Sequence, residues 1–166
     1  FYSDAGATAV EIALKMAFQY WRNLGQGQRQ QFIALRQSYH GDTIGSVSVG
    51  GIDIFHRIFG PLTFAAHFCD SPHPYRFDGT NEECREHSLV QLRSLLQTHA
   101  HTIAAIVMEP LVQGAAGIIV HPSGFLAGVR RLADEFGVLL IADEVATGFG
   151  RTGRMLSLIH ISEPTR

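Results

Sequence analysis

Two stretches of the chain, Ile103–Met108 and residues 138–142, are apolar at every position, with no polar residue in alternation. A strand with one wet face alternates apolar and polar side chains. An unbroken apolar run is what a parallel strand requires when helices cover both of its faces. The segment between the two runs supports this, because residues 125–136 carry a helical pattern that Gly137 stops. Upstream, Val10, Ala13, Leu14, Ala17, Tyr20, Trp21 and Leu24 recur at the spacing of a helix with one buried face, and Gly25 follows. Residues 32–35 form a short apolar strand, and residues 43–49 restart a helix after a polar turn. Val90, Leu92, Leu95 and Leu96 give helical spacing to residues 82–100. Residues 50–81 are rich in Gly, Pro and aromatic side chains without a period and receive no assignment. Helices alternating with strands define the class as α/β, an open, mainly parallel sheet with flanking helices.

The 46% apolar content of 166 residues is enough for one core and one domain. Phe1-Tyr2-Ser3 reads as the end of a strand already running, so the expectation is a piece of a larger fold. Residues 1–155 are read as a partial domain, and residues 156–166, with no apolar period, as a non-native tail. A formal charge of -2 leaves no basic excess for nucleic acid or an anionic membrane. No run reaches the roughly 18 uncharged apolar residues of a membrane span, and the first residues lack the pattern of a signal peptide. Small metabolites are the expected partners and the cytoplasm the expected compartment. Cys69 and Cys84 fit neither a disulfide framework nor metal-ligand spacing and read as ordinary thiols. Nine histidines are many, with His99 and His101 close together; they read as mostly solvated helix-end groups, and no metal site is expected.

In open parallel sheets ligands collect beyond the carboxyl ends of the strands. Three segments there suit one ligand. Ser3-Asp4-Ala5-Gly6-Ala7-Thr8 leads into the amino end of a long helix, where free amides and the helix dipole favour a phosphate. Taken alone, the segment reads more simply as a plain strand-to-helix turn. Tyr39-His40-Gly41 offers an aromatic pair against which a flat ring can stack, and also reads as a turn with a satisfied hydroxyl. Asp143, at the mouth of an apolar strand, loses several kcal/mol of hydration unless a cation or strong donor meets it. A protonated ring nitrogen would serve, and so would neighbouring loop amides. Glu144 and Glu109 read as supporting residues, and residues 148–153 as a Gly-rich loop able to reach a partner subunit.

Taken together, these residues resemble the class III aminotransferases, the group that includes ornithine, omega-amino-acid and diaminopelargonate aminotransferases. The most specific stretch runs from Val138 to Gly153, and the resemblance extends from Phe1 to about Met155. Ala146, the segment Gln113-Gly114-Ala115-Ala116-Gly117, and Tyr39-His40-Gly41-Asp42-Thr43 are similar to the diaminopelargonate branch. The resemblance implies part of the large domain of a fold-type I enzyme with pyridoxal 5'-phosphate (PLP) as cofactor. It implies that Gly6 and Ala7 bind the cofactor phosphate through their amides. Tyr39 would lie against ring and substrate, and Asp143 would pair with the pyridine nitrogen. It further implies a homodimer of biotin biosynthesis that moves an amino group from S-adenosylmethionine to 8-amino-7-oxononanoate, giving 7,8-diaminononanoate.

There are departures. The family usually has serine where this chain has Ala7, which puts cofactor affinity in question, with Thr8 a possible substitute. Lys15 is the only lysine and does not match the family's Schiff-base lysine, which lies downstream of the Gly-rich loop; the chain by itself is expected to be inactive. Three other readings stay open. One is an omega-aminotransferase or aminomutase of the same group. Another is a nucleotide hydrolase, which would require the Gly-Lys-Ser or Gly-Lys-Thr loop that this chain lacks. The third is a non-catalytic binding module.

Overall fold

The structure, a computed structural model, describes residues 1–160. Its frame is a four-stranded parallel sheet of order β2-β1-β3-β6, built from β1 (Gln31–Leu35), β2 (His67–Cys69), β3 (Ile103–Met108) and β6 (Leu139–Ala142). β3 is central, and all six of its residues are buried, as its unbroken apolar run requires. α1 (Gly6–Asn23) covers one face. Its stripe of Val10, Leu14, Ala17 and Trp21 packs on Phe32, Ala34, Ala105 and Val107. Burying a side chain such as Val10 or Leu14 in this way is worth about 1.5–3 kcal/mol. Trp21 also donates its indole N–H to the Ala104 carbonyl at 2.8 Å, and the Arg29 guanidinium lies 4.3 Å above its ring. Gly25, at φ 73°, takes the left-handed conformation that ends the helix.

The opposite face belongs to α4 (Asn81–His99) and α5 (Phe125–Glu135). Leu89, Leu92 and Leu96 of α4, with Phe125, Val129 and Leu132 of α5, close over Ile33, Leu35, Ile106 and Met108. α4 starts at a reciprocal cap: the Glu83 amide donates to the Thr80 hydroxyl at 3.2 Å, and Glu83 Oε2 accepts from the Thr80 amide at 2.8 Å.

The structure departs from the sequence reading in five places. β6 is half-buried along its whole length, because it is the sheet's edge among the described residues and not an interior strand. Phe1, Tyr2 and Ser3 pair with no strand and are exposed. Residues 50–81, unassigned from sequence, contain α3 (Asp53–His56), two 3₁₀ turns and β2, which pairs with β1. A small antiparallel hairpin of β4 (Val112–Gln113) and β5 (Ile119–Val120) follows β3. Of the histidines, His40, His56 and His121 are buried, and His99 stacks on His67 with ring centres 4.3 Å apart, so solvation describes only some of them.

Of the tail set apart from sequence, residues 161–166 lie outside the described residues. Ser157–His160 form a 3₁₀ turn in which Ser157 is buried, and the Leu158 amide donates to Glu144 Oε1 at 3.0 Å. Both cysteines are free and buried; burial, with the nearby Asp70 charge, pushes the Cys69 thiol up to about 12, which keeps it an unreactive thiol.

Candidate functional site

The loops that leave β1, β3 and β6 at their carboxyl ends converge with the amino end of α1 around a cavity of about 540 Å³. That size lies within the range of small-molecule sites. Gly6, Ala7, Tyr39 and Asp143 all line it, so the four residues singled out from sequence share one space. His40, Asp42, Glu109, Gly114 and Val145 join them.

Each contribution has a local cause. α1 begins at Gly6 with no side chain capping its first amides and no acidic residue in its first turn. Its amino end therefore presents unpaired N–H groups and the positive end of the helix dipole. Gly6 is required by space, because a Cβ there would stand 2.9 Å from Val145 Cγ2. Gly41 is required twice over: its φ is 114°, and a Cβ would collide with Ala7. The Thr8 hydroxyl is engaged at the helix start, donating to the Ala5 carbonyl at 2.8 Å and lying 3.1 Å from Asp4 Oδ1. It does not line the cavity, which Gly6 and Ala7 reach at this point.

α2 (Ile44–Ser48) is tied to α1 by Glu11, whose Oε1 accepts from the Gly45 amide at 2.6 Å. This holds the segment after β1 over the end of α1. Within that segment Tyr39 lies beside the His56 ring, the two planes 10° apart and their centres 6.1 Å apart. Its hydroxyl donates to Asp42 Oδ2 at 2.9 Å, and that bond, with some burial and the Asp42 charge, raises the phenol above its ordinary value.

Asp143 meets one partner foreseen from sequence, a neighbouring loop amide, and one that was not, His40. Its Oδ1 accepts from the Val145 amide at 3.1 Å, and Oδ2 lies 2.8 Å from His40 Nδ1. Both side chains are almost wholly out of solvent. A carboxylate only accepts, so Nδ1 carries the shared proton. Glu109 lies under this pair at 5% exposure. Its Oε1 accepts from the Tyr39 amide at 3.0 Å and its Oε2 from the Gly114 amide at 2.8 Å. Burial raises the Glu109 carboxyl above the ordinary carboxylate value against the pull of those two bonds. Glu144 points elsewhere, accepting from the Thr147 hydroxyl at 2.9 Å and from Leu158.

The roles of His40 and Val145 toward Asp143, and the double role of Glu109, escape sequence reasoning. Val145 had a usable signal, since it stands two residues after Asp143 in the same turn. The His40–Asp143 contact joins residues 103 apart in sequence and has none.

The family model described as aminotransferase class-III matches residues 1–164. The chain belongs to this family. An adenosylmethionine-8-amino-7-oxononanoate aminotransferase of Geobacter sulfurreducens is 51% identical over 160 residues, covering 95% of this chain and 35% of the relative. The crystal structure of the enzyme of the same name from Methanocaldococcus jannaschii superposes with a TM-score of 0.84 at 40% identity, over 99% of this chain and 36% of that one. An amine transaminase from an uncultivated Pseudomonas species, solved in its PLP-bound form, gives a TM-score of 0.88 at 44% identity, over 93% and 36% of the two chains. The chain thus spans about a third of the length of the curated relatives it matches. Membership in the class-III aminotransferases removes the nucleotide-hydrolase reading of residues 138–144.

Proposed function

We propose that this chain forms the phosphate-binding and ring-nitrogen side of the active site of a PLP-dependent aminotransferase that makes 7,8-diaminononanoate from 8-amino-7-oxononanoate, with S-adenosylmethionine as amino donor. The observation that carries the reading is the convergence of uncapped α1 amides, Tyr39 and the buried Asp143 on one cavity. The substrate assignment draws on the relatives' printed names.

The residues fit the cofactor. The Gly6 and Ala7 amides suit a phosphate, and the glycines at positions 6 and 41 let Val145 and the turn after β1 close against the start of α1 at the edge of the cavity. Tyr39 and Val145 offer walls for a flat ring. Asp143, accepting one bond at each oxygen, keeps a lone pair on each for a further donor and holds the proton of a pyridine nitrogen in place. When bound, pyridoxal phosphate supplies an electron sink for the substrate's amino-bearing carbon. Ala7 in place of serine removes one hydroxyl from the phosphate set. Lys15 is exposed on α1 and does not line the cavity, so we assign the Schiff-base lysine to a segment other than residues 1–160, and expect the chain alone to be inactive. We further assign the longer enzyme to the cytoplasm, as a homodimer whose partner contributes to the site.

The test is the longer enzyme, supplied with 8-amino-7-oxononanoate and S-adenosylmethionine and assayed for 7,8-diaminononanoate by mass spectrometry. Product formation supports the reading. Efficient use of ornithine or β-alanine with no use of S-adenosylmethionine refutes the substrate assignment. The 44% identity to an amine transaminase favours a second reading, an omega-transaminase of simple amines. Turnover of such amines without formation of 7,8-diaminononanoate would select it.

A further inference from the structure

We propose that Thr43 is a phosphate-binding residue: its hydroxyl, backed by Ser46, donates to the phosphate that the Gly6 and Ala7 amides receive. The inference rests on the reading above, that the cavity receives pyridoxal phosphate. It goes beyond that reading by giving the phosphate a side-chain donor where the chain otherwise offers backbone alone.

The supply of donors in the cavity singles out this residue. Among the described residues no lysine or arginine lines the space, so an anion there must be met by amides and neutral donors. Three lining side chains carry a donor: Tyr39, His40 and Thr43. The Tyr39 hydroxyl is spent on Asp42 Oδ2 at 2.9 Å, and His40 Nδ1 on Asp143 Oδ2 at 2.8 Å. Both are bonds to carboxylates, which are roughly twice as strong as bonds between neutral groups. The Thr43 hydroxyl donates only to another hydroxyl, Ser46 Oγ, at 3.0 Å. It is therefore the donor an entering anion captures most easily, since the new bond is charge-assisted and the old one is not. Asp42 brings the adverse charge beside it, but that side chain is exposed and screened by water.

The same contacts fix where Thr43 stands. Ser46 is wholly buried, and its hydroxyl donates to the Ala7 carbonyl at 3.1 Å. One hydroxyl thus separates Thr43 from the residue that opens α1 onto the cavity. Gly41, two residues before Thr43, approaches the same place so closely that a Cβ would collide with that of Ala7. The exchange needs only two rotations. Thr43 turns its hydrogen from Ser46 to the phosphate, and Ser46 turns its own from the Ala7 carbonyl to Thr43 Oγ1. The Ala7 carbonyl lies inside α1 and retains its regular helical partner four residues on. The two hydroxyls then form a chain in which each donor strengthens the next.

The experiment measures the affinities of PLP and of pyridoxal, which differ only in the phosphate, by equilibrium dialysis against the longer enzyme and its Thr43→Val and Thr43→Ser variants. The ³¹P shift of bound PLP reads the phosphate's surroundings directly, and neither measurement depends on turnover. Thr43→Val, which keeps the shape and removes the hydroxyl, is expected to weaken PLP binding by about tenfold or more, the usual scale for losing a bond to a charged group. Pyridoxal should stay within about twofold of wild type, and the ³¹P signal should move. Thr43→Ser is expected to bind PLP nearly as wild type does. A Val variant that binds PLP within about twofold of wild type would overturn the proposal. So would equal weakening of PLP and pyridoxal, which would make Thr43 a support of the turn that carries Tyr39, or a Ser variant as defective as the Val variant. Should Thr43→Val not fold, Thr43→Ala takes its place. If wild type binds PLP no better than pyridoxal, the cavity reading itself fails. If wild type prefers PLP and Thr43→Val prefers it equally, only the role of Thr43 fails.

Discussion

Removing Glu109 should loosen two walls of the cavity at once. The carboxylate accepts from the Tyr39 amide and the Gly114 amide, at 3.0 and 2.8 Å, in a place only 5% exposed. Glu109→Gln keeps one acceptor oxygen and turns an NH₂ toward the other amide, stranding one donor at a cost of about 1–3 kcal/mol. Glu109→Ala strands both and should cost about 2–6 kcal/mol. Urea unfolding followed by circular dichroism measures the difference, and equilibrium dialysis should find PLP affinity reduced alongside, since Tyr39 and Gly114 both line the cavity. The pH dependence has a definite sign. Burial raises the Glu109 carboxyl above its ordinary value of 4.5, so the folded state holds this proton more tightly than the unfolded chain. That contribution to stability is complete below 4.5 and is lost as pH rises through the raised value. The deficit of the Gln variant should accordingly narrow as pH rises through that window. A Glu109→Ala protein within about 0.5 kcal/mol of wild type, the range of an ordinary surface substitution, would refute the bridging role.

Three other outcomes follow from the same geometry. Asp143→Asn in the longer enzyme should leave the melting temperature nearly unchanged and slow transamination by a factor on the order of a hundred or more, because the amide cannot hold a ring nitrogen protonated; unchanged turnover with bound cofactor would remove Asp143 from the mechanism. Gly41→Ala should destabilise the fold by about 2 kcal/mol or more, combining a left-handed φ of 114° with a collision against Ala7, and should weaken PLP binding; thermal melts and dialysis check both. Burial lowers His121 from 6.5 to about 4, and its ring nitrogens meet no partner among the described residues. Its stabilising effect is whole above 6.5 and is lost as pH falls toward 4, which at 1.36 kcal/mol per unit amounts to about 3 kcal/mol. His121→Leu should flatten that part of the stability profile in urea titrations at several pH values, and an unaltered slope would count against it.

What was legible in the sequence follows physical lines. α1, α4 and α5 announce themselves because each lays a periodic apolar stripe on one sheet, and β3 because a strand buried on both faces can carry no polar residue. β6 is as uniformly apolar as β3 yet lies at the sheet edge among the described residues, a difference that depends on which strands pair and not on the strand itself. β2 spans three residues, His67–Cys69, and the β4–β5 hairpin two on each side, too short for a period to register. In the site, Gly6 and Asp143 could be found because they stand at the turns after apolar or before helical runs. The pairing of His40 with Asp143 and the bond from the Tyr39 amide to Glu109 join loops that follow different strands, and Pro110 next to Glu109 suggested only the end of a strand.

The position of β6 also bears on how this polypeptide behaves before it is an enzyme. Its outer edge is a row of backbone donors and acceptors that no strand among the described residues pairs with, on a segment of uncharged, half-buried side chains. Such an edge is a template for any other extended chain, including another copy at the same stage of folding. Residues 138–142 contain no proline, no lysine and no bulge to blunt it. During synthesis and refolding this strand is a place at which two incomplete molecules can join, so yield should depend on dilution and on chaperones that shield exposed strands.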